Sequence, residues 1–232
     1  MPAVFSVLLC TAAPPGQGAE AGGAFVKVDG RECLLRSVEL FMNRENIKQI
    51  QVCFDPDMMD ESRRKFGGHL GLTGVKVLGG GPRWIDQLAA AAPKLAAEVT
   101  HVIVHDAARP AVAYSDVDAL MESAEKNAIA TLTSPLRTPL LELDEGGNPV
   151  AFHTPAHFVQ LLTPQVFSRE KFMKIADSKQ EPHASELTLV KGSPLNIRCG
   201  GPGDVGHVAA MLRMLPKPKV RPPTSPFEEA QW

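Results

Sequence analysis

The densest polar chemistry in the chain lies in one short run, His105-Asp106-Ala107-Ala108-Arg109-Pro110. Asp106 suits Mg²⁺ or a hydroxyl, and Arg109 suits a phosphate, which a guanidinium fork binds in bidentate fashion. The same pair also serves, with no ligand, to tie down a loop. Two glycine-bearing stretches hold the other candidates. In Thr11-Ala12-Ala13-Pro14-Pro15-Gly16-Gln17-Gly18, the small residues Ala12, Ala13, Gly16 and Gly18 either let the backbone approach a phosphate or base closely or form a flexible connector. In Gly79-Gly80-Gly81-Pro82-Arg83, Gly80 and Gly81 allow the same approach. Arg83 is then an anion ligand or a solvated charge.

Other chemistries find little support. The spacing Gly16-x-Gly18-x-x-x-Gly22 misses the dinucleotide fingerprint by one residue and leads into Phe25-Val26-Lys27-Val28, which does not start a helix. There is no Walker A sequence and no G-x-S-x-G elbow. Pro155 separates His153 from His157, which argues against a zinc pair on one helical face. With 232 residues, 44% hydrophobic, and a formal charge of −2, the chain can bury a core but has no basic excess for non-specific nucleic-acid binding. No apolar run reaches the roughly 18 residues of a membrane span. Val4 to Ala13 lacks a basic n-region and ends at Pro14-Pro15, unlike a signal peptide. Cys10, Cys33, Cys53 and Cys199 lie at neither metal nor redox spacing, so buried thiols in a reducing cytoplasm are expected.

The elements that position these residues alternate. Apolar strands are expected over Val4–Cys10, Ile47–Phe54, Val75–Leu78, Val99–Val104 and Ala128–Thr133. Between them fall helices ending near Asn43, from Asp57 toward a break at Gly67-Gly68, from Pro82 to about Ala97, and over Val117–Lys126 behind a Ser115 or Asp116 cap. This order predicts a doubly wound, mostly parallel α/β sheet. Leu140–Leu143 and Pro149–His153 flank Asp144-Glu145-Gly146-Gly147-Asn148 and predict a β-hairpin arm. Phe158–Leu162 returns to the core, Ser168 caps a helix over Arg169–Ala176, Leu195–Cys199 is a late strand, and Val205–Leu215 is a last helix. Residues 1–215 thus read as one domain, and the proline-rich 216–232 as a disordered tail.

The His105–Pro110 run resembles the signature of the methylerythritol-phosphate cytidylyltransferase (IspD) family of non-mevalonate isoprenoid synthesis. Ala12-Ala13 resembles its nucleotide loop, and Gly79–Arg83 its glycine-rich base-recognition segment. Leu162-Thr163-Pro164-Gln165-Val166-Phe167 resembles its TPQ-x-F element, and Asn196-Ile197-Arg198 its Asn-Ile-Lys strand; together the resemblance covers about residues 4–215. It implies a Rossmann-like nucleotidyltransferase fold with a projecting arm near 137–153 and a homodimer joined through that arm. It also implies attack of a sugar-alcohol phosphate on the α-phosphate of CTP, with Mg²⁺, giving a CDP-alcohol and pyrophosphate. The residue roles it implies are catalysis by Asp106, Arg109, Arg198 and Lys27, with Asp106 the metal ligand. Nucleotide binding falls to Ala12, Ala13, Gly16, Gly18, Gly80, Gly81, Arg83 and Asp86, and substrate binding to Asp106, Arg109 and Thr163.

The departures are electrostatic. The family loop carries an Arg and a Pro-Lys pair, but Pro14 to Ala24 holds no Lys or Arg, includes Glu20, and has Gly22-Gly23 where Pro-Lys would stand. Lys27, four residues late, is the nearest substitute. Asp86 occupies the position of a base-contacting Ser, and Thr138-Pro139 that of an Asp-Thr in the arm. The family's arm arginine falls near Pro155, and Glu181-Pro182-His183-Ala184-Ser185 replaces Thr-Asp-x-Ala-Ser. Losing one such cation typically costs about 10²-fold in rate. Weak cytidylyltransferase activity is therefore expected. The alternatives are a catalytically degenerate binding, regulatory or dimer-partner protein, or an enzyme for another nucleotide. A basic residue restored at Gly18 together with Gly23→Lys is expected to raise nucleotide affinity.

Overall fold

Every residue of Phe5-Ser6-Val7-Leu8-Leu9-Cys10 is buried, as its near-continuous apolar run requires, and the segment forms β1 inside a covered sheet. The computed structural model describes residues 2–17 and 22–216, so Gly18 and the tail from 217 onward lie outside the described residues. The further strands are β2 (Lys27–Val28), β3 (Arg31–Glu32), β4 (Ile47–Phe54), β5 (Lys76–Gly79), β6 (His101–Asp106), β7 (Ile129–Pro135), β8 (Leu140–Leu143), β9 (Pro149–His153), β10 (Val159–Ser168) and β11 (Thr188–Lys191). The helices are α1 (Cys33–Phe41), α2 (Met59–Leu72), α3 (Trp84–Ala91), α4 (Tyr114–Ala124), α5 (Arg169–Ser178) and α6 (Val205–Met214).

The main sheet has seven strands in the order β11-β7-β10-β6-β1-β4-β5. All its pairings are parallel except those of β10, which runs antiparallel to β6 and β7. Helices cover both faces. Leu34, Val38 and Phe41 of α1, Phe66 and Leu70 of α2, and Leu120 of α4 fill one core. Trp84 and Leu88 of α3 with Phe172 and Ile175 of α5 fill the other. The fold is the expected α/β, Rossmann-like one.

Several boundaries differ from expectation. Gly67-Gly68 does not break α2, because Phe66 and Leu70 one turn apart are both buried. That burial outweighs the cost of about 1 kcal/mol per helical glycine. The helix starting near Pro82 ends at Ala91 and passes into a 3-10 turn over Ala92–Lys94. Neither Ser115 nor Asp116 caps α4, whose N-cap is Ala113. Asp116 instead accepts the Ser193 N–H at 2.7 Å, anchoring a distant loop. Leu195–Cys199 is not a strand; the late strand is β11, paired parallel to β7. Ser168 caps α5 as expected, accepting the Lys171 N–H. The hairpin also stands where its turn residues put it, as the separate two-stranded sheet β8-β9. The Asp144 carboxylate accepts the N–H groups of Gly146 and Asn148. Phe152 is 85% exposed on this arm.

Candidate active site

Parallel pairing brings the carboxyl ends of β1, β4, β5 and β6 to one edge of the sheet, where open α/β folds bind ligands. Cys10 stands beside both Cys53 and Asp106, and Phe54 stands beside Gly79. Two clefts open there with volumes of about 470 and 490 Å³. The turn Pro15-Gly16-Gln17 is their common wall. Beyond it the first cleft runs to Arg83 and Trp84, and the second to Arg109, Asn196 and Arg198.

Asp106 lies at the root of the second cleft with no exposed surface. One carboxylate oxygen accepts the Ala108 N–H at 2.9 Å; the other accepts Arg198 Nε–H at 2.8 Å and sits 3.7 Å from Arg109 Nε. Burial pushes the Asp106 carboxyl up, while Arg198, the Ala108 amide and Arg109 pull it down. Arg109 spends its remaining nitrogens on the Asn196 carbonyl and on Gln17 Oε1, both at 2.9 Å. Two guanidiniums therefore stand beside the first glycine turn. They come from the β6 loop and from the 196–199 segment, not from the turn itself.

His105 orders this cluster. Complete burial pushes its imidazole down to about 3, so the ring is neutral at pH 7. The Arg109 carbonyl, 3.0 Å from Nε2, can only accept, so Nε2 carries the proton. Nδ1 then accepts the Thr163 hydroxyl proton at 3.1 Å, and Thr163 Oγ1 in turn accepts the Asp106 N–H at 3.1 Å. Thr163 holds its place at the cis Thr163-Pro164 bond, in a register shift of β10. Its carbonyl accepts Asn196 Nδ2–H at 2.7 Å. The Cys199 N–H bonds the Ala108 carbonyl at 2.8 Å, so 196–199 is pinned bond by bond and not by a ladder. Asp106, Arg109, Thr163 and Arg198, far apart in sequence, thus converge.

Asp106 does not fit the role of a metal ligand in this arrangement. Both its oxygens are engaged, one by the Ala108 amide and the other by Arg198 with Arg109 Nε 3.7 Å away, and the group is sealed from solvent. Among the described residues no group of three His, Cys, Asp or Glu side chains is placed to hold a metal. The carboxylate instead orients the two arginines, so this wall of the cleft suits an anion.

The first cleft is built from shape more than charge. Ala12, Ala13, Pro14, Pro15, Phe25, Met58 and Trp84 give it an apolar lining. Gly80 lies against Gln87 and Cys53: a Cβ there would come within 2.5 Å of Cys53 Sγ and 2.9 Å of Gln87 Cα. Gly81 packs on Asp86 in the same way. Charge sits at the rim, where Asp86 binds Arg83 through Nε at 2.6 Å and Nη2 at 2.9 Å, and Lys179 at 2.9 Å. Arg83 and Lys179 line the cleft, and their hydrogen bonds hold the Asp86 carboxyl down at about 2.

Two expectations change here. Lys27 does not turn into either cleft; its side chain is 61% exposed and its ammonium pairs with Glu32 across β2-β3. Gly23→Lys cannot restore a phosphate ligand, because a Cβ at Gly23 would meet the Cys199 carbonyl oxygen at 1.9 Å. That close approach ties the β1 loop to the segment carrying Arg198. Gly16 lies on the shared turn, and Gly18 falls outside the described residues.

The sequence model of the family described as IspD, 2-C-methyl-D-erythritol 4-phosphate cytidylyltransferase, matches residues 6–213. The chain belongs to the IspD family. It is 24% identical over 229 residues to the 2-C-methyl-D-erythritol 4-phosphate cytidylyltransferase of Rhodopirellula baltica, covering 88% of this chain and 93% of that one. It is 26% identical over 204 residues to a bifunctional IspD/IspF enzyme of Rhizobium leguminosarum, covering 82% of this chain; it spans half that protein's length. In fold it resembles the 2-C-methyl-D-erythritol 4-phosphate cytidylyltransferase of Thermus thermophilus, with a TM-score of 0.67 at 23% identity over 89% of this chain and 98% of the other. The 4-diphosphocytidyl-2C-methyl-D-erythritol synthase of Anaerococcus prevotii gives a TM-score of 0.74 at 14% identity, covering 91% and 97%.

Within this IspD-family site, three residues escaped sequence reasoning. His105 sat inside the His105–Pro110 run without a role. Gln87 had a signal, as a polar residue on the buried Trp84–Leu88–Ala91 face of α3. Lys179 had none, because it reaches the cleft only through its left-handed position at the end of α5.

Proposed function

We propose that the chain is a slow cytidylyltransferase that joins CTP and 2-C-methyl-D-erythritol 4-phosphate, releasing pyrophosphate. The observation that carries this reading is the convergence of Arg109 and Arg198 on one wall of the turn whose other wall forms the apolar cleft. A polyol phosphate in the second cleft meets two guanidiniums already oriented by Asp106. A cytidine in the first meets the Ala13 backbone and the Phe25, Met58 and Trp84 side chains. A phosphate oxygen of the polyol phosphate then forms a bond to the α-phosphorus as the bond to the pyrophosphate oxygen breaks, so the substrate's phosphate becomes the second phosphate of the CDP-alcohol. Arg109 and Arg198 orient the nucleophile and offset charge as it develops. CTP brings its own Mg²⁺. Residues 1–215 act as one unit in this reading. The exposed Phe152, Val150 and Leu143 of the arm supply the surface through which two copies join. An isolated two-stranded hairpin is marginal in water, which supports a packed arm.

The experiment is pyrophosphate release with CTP, Mg²⁺ and the polyol phosphate, beside a thermal shift with CTP alone. Turnover is expected to lie about 10²-fold or more below an enzyme with both loop cations. Ligand at 100 times its dissociation constant stabilises the fold by about 2.7 kcal/mol. No shift at millimolar CTP removes the proposal. A second reading, a binding or regulatory member of the family without catalysis, draws on Lys27 being paired away and on the lack of any cation between Pro14 and Ala24. A CTP shift without pyrophosphate release selects it.

A further inference from the structure

Phosphates bind strand-end loops largely through backbone N–H groups. At the end of β1 the Thr11 and Ala12 N–H groups are already taken, that of Thr11 in part by the Cys53 carbonyl at 3.2 Å. Gln87 is 1% exposed, and its Oε1 accepts the N–H of Thr11 at 3.0 Å and of Ala12 at 3.3 Å. Its Nε2 donates to the Gly81 carbonyl at 3.2 Å and to Thr11 Oγ1 at 3.4 Å. One buried carboxamide thus fastens the turn after β1 to the turn after β5, the two backbones that enclose the first cleft. In the rest of the turn, Ala13 and Gly16 alone keep an N–H without a partner among the described residues. Pro14 and Pro15 have no N–H, and the Gln17 N–H is bonded to the Pro14 carbonyl at 3.2 Å. Residues 11–26 contribute no cation, and the rim cations Arg83 and Lys179 are bound to Asp86.

We infer that Gln87 is a positioning residue whose carboxamide oxygen occupies the Ala12 amide that a polyphosphate would use, so that this cleft draws more of its affinity from the nucleoside than from the phosphates. The inference rests on reading the first cleft as the nucleotide pocket. A charge-assisted amide–phosphate bond is worth about tenfold or more in affinity, so the phosphate dependence of binding reports whether such bonds form. Gln87 then sets the ratio of CTP to cytidine affinity by withholding the Ala12 amide.

The test is calorimetric titration of the whole chain with cytidine, CMP and CTP–Mg²⁺, followed by the same series on Gln87→Ala and Gln87→Glu. In the native chain the three ligands are expected to bind within about fivefold of one another; a climb of about 100-fold from cytidine to CTP overturns the inference. Gln87→Ala frees the Ala12 amide while the Thr11 N–H stays on the Cys53 carbonyl, and the CTP-to-cytidine ratio is expected to rise about tenfold. Gln87→Glu keeps an acceptor on the amides, and its ratio stays at or below the native value. A purely structural role would weaken both ligands together and leave the ratio unmoved, which also overturns the inference. If neither cytidine nor CTP binds at millimolar concentration, the nucleotide-pocket reading falls and takes this one with it. Should Gln87→Ala fail to fold, the native series alone still decides.

Discussion

The two clefts share one turn yet are built on opposite physics. Around Asp106 the walls are charged, buried and cross-bonded: Arg198 donates to the carboxylate, the Thr163 hydroxyl joins the Asp106 amide to the neutral His105 ring, and that ring bonds the Arg109 carbonyl. Around Ala12 and Trp84 the walls are backbone and apolar side chains, with Asp55, Glu181 and the Asp86-bound Arg83 and Lys179 as the charged groups beside them. A buried ionic cluster fixes orientation, because each member is over-determined and removing one leaves another desolvated without compensation. An apolar slot fixes shape, and its contacts change by small increments. The second cleft's lining charge is cationic, from Arg109 and Arg198, whereas the first cleft mixes Arg83 and Lys179 with Asp55 and Glu181.

The largest expected effect separates the two regions directly. Asp106→Ala leaves Arg109 and Arg198 facing each other in a buried setting, and urea unfolding is expected to show a loss of about 3–5 kcal/mol. A loss below about 1 kcal/mol would mean that the cluster is solvated after all. Next comes the junction between the clefts. Gly23→Lys forces a Cβ onto the Cys199 carbonyl, and overpacking of this kind costs about 1–3 kcal/mol; CTP affinity, read by calorimetry, is expected not to rise. Tighter CTP binding by this variant would restore the idea that the loop merely lacks its lysine.

A pH experiment probes the cluster without mutation. His105 has a folded value near 3 against 6.5 in the unfolded chain, so below pH 6.5 the unfolded state binds a proton that the folded state refuses. Stability then falls as pH falls, by about 2 kcal/mol between pH 7 and 5 from this residue. Denaturation at both pH values on the native chain and on His105→Gln checks it: the variant's dependence is flatter, and equal slopes would refute the neutral buried ring. The smallest effect belongs to the rim. Arg83→Met and Lys179→Met are expected to change stability by no more than about 0.5 kcal/mol each, since exposed ion pairs contribute little. A thermal melt showing losses like those at Asp106 would erase the distinction between the regions.

Much of this was legible in the residues. β4 and both strands of the hairpin fall where apolar alternation and turn residues put them, and the His105–Pro110 run marked the strand end that holds Asp106 and Arg109. Local pattern failed where distant packing overrode it. Gly67-Gly68 reads as a break until Phe66 and Leu70 are seen buried together, and Asp116 reads as a cap until the Ser193 amide arrives from the loop beyond β11. A one-dimensional reading also counts cations only within the β1 loop, whereas Arg109 reaches Gln17 across the fold.

By itself the order of apolar runs, small residues and turn formers determined an α/β sheet, its projecting arm and the edge that carries the site, because strand period, turn conformation and backbone access are properties of neighbouring residues. Tertiary structure alone decided what each polar group does there. Protonation, pairing and spare hydrogen-bonding capacity depend on which groups the fold desolvates together. That is how Gln87 came to seal the end of β1, and why Asp106 came to hold two arginines.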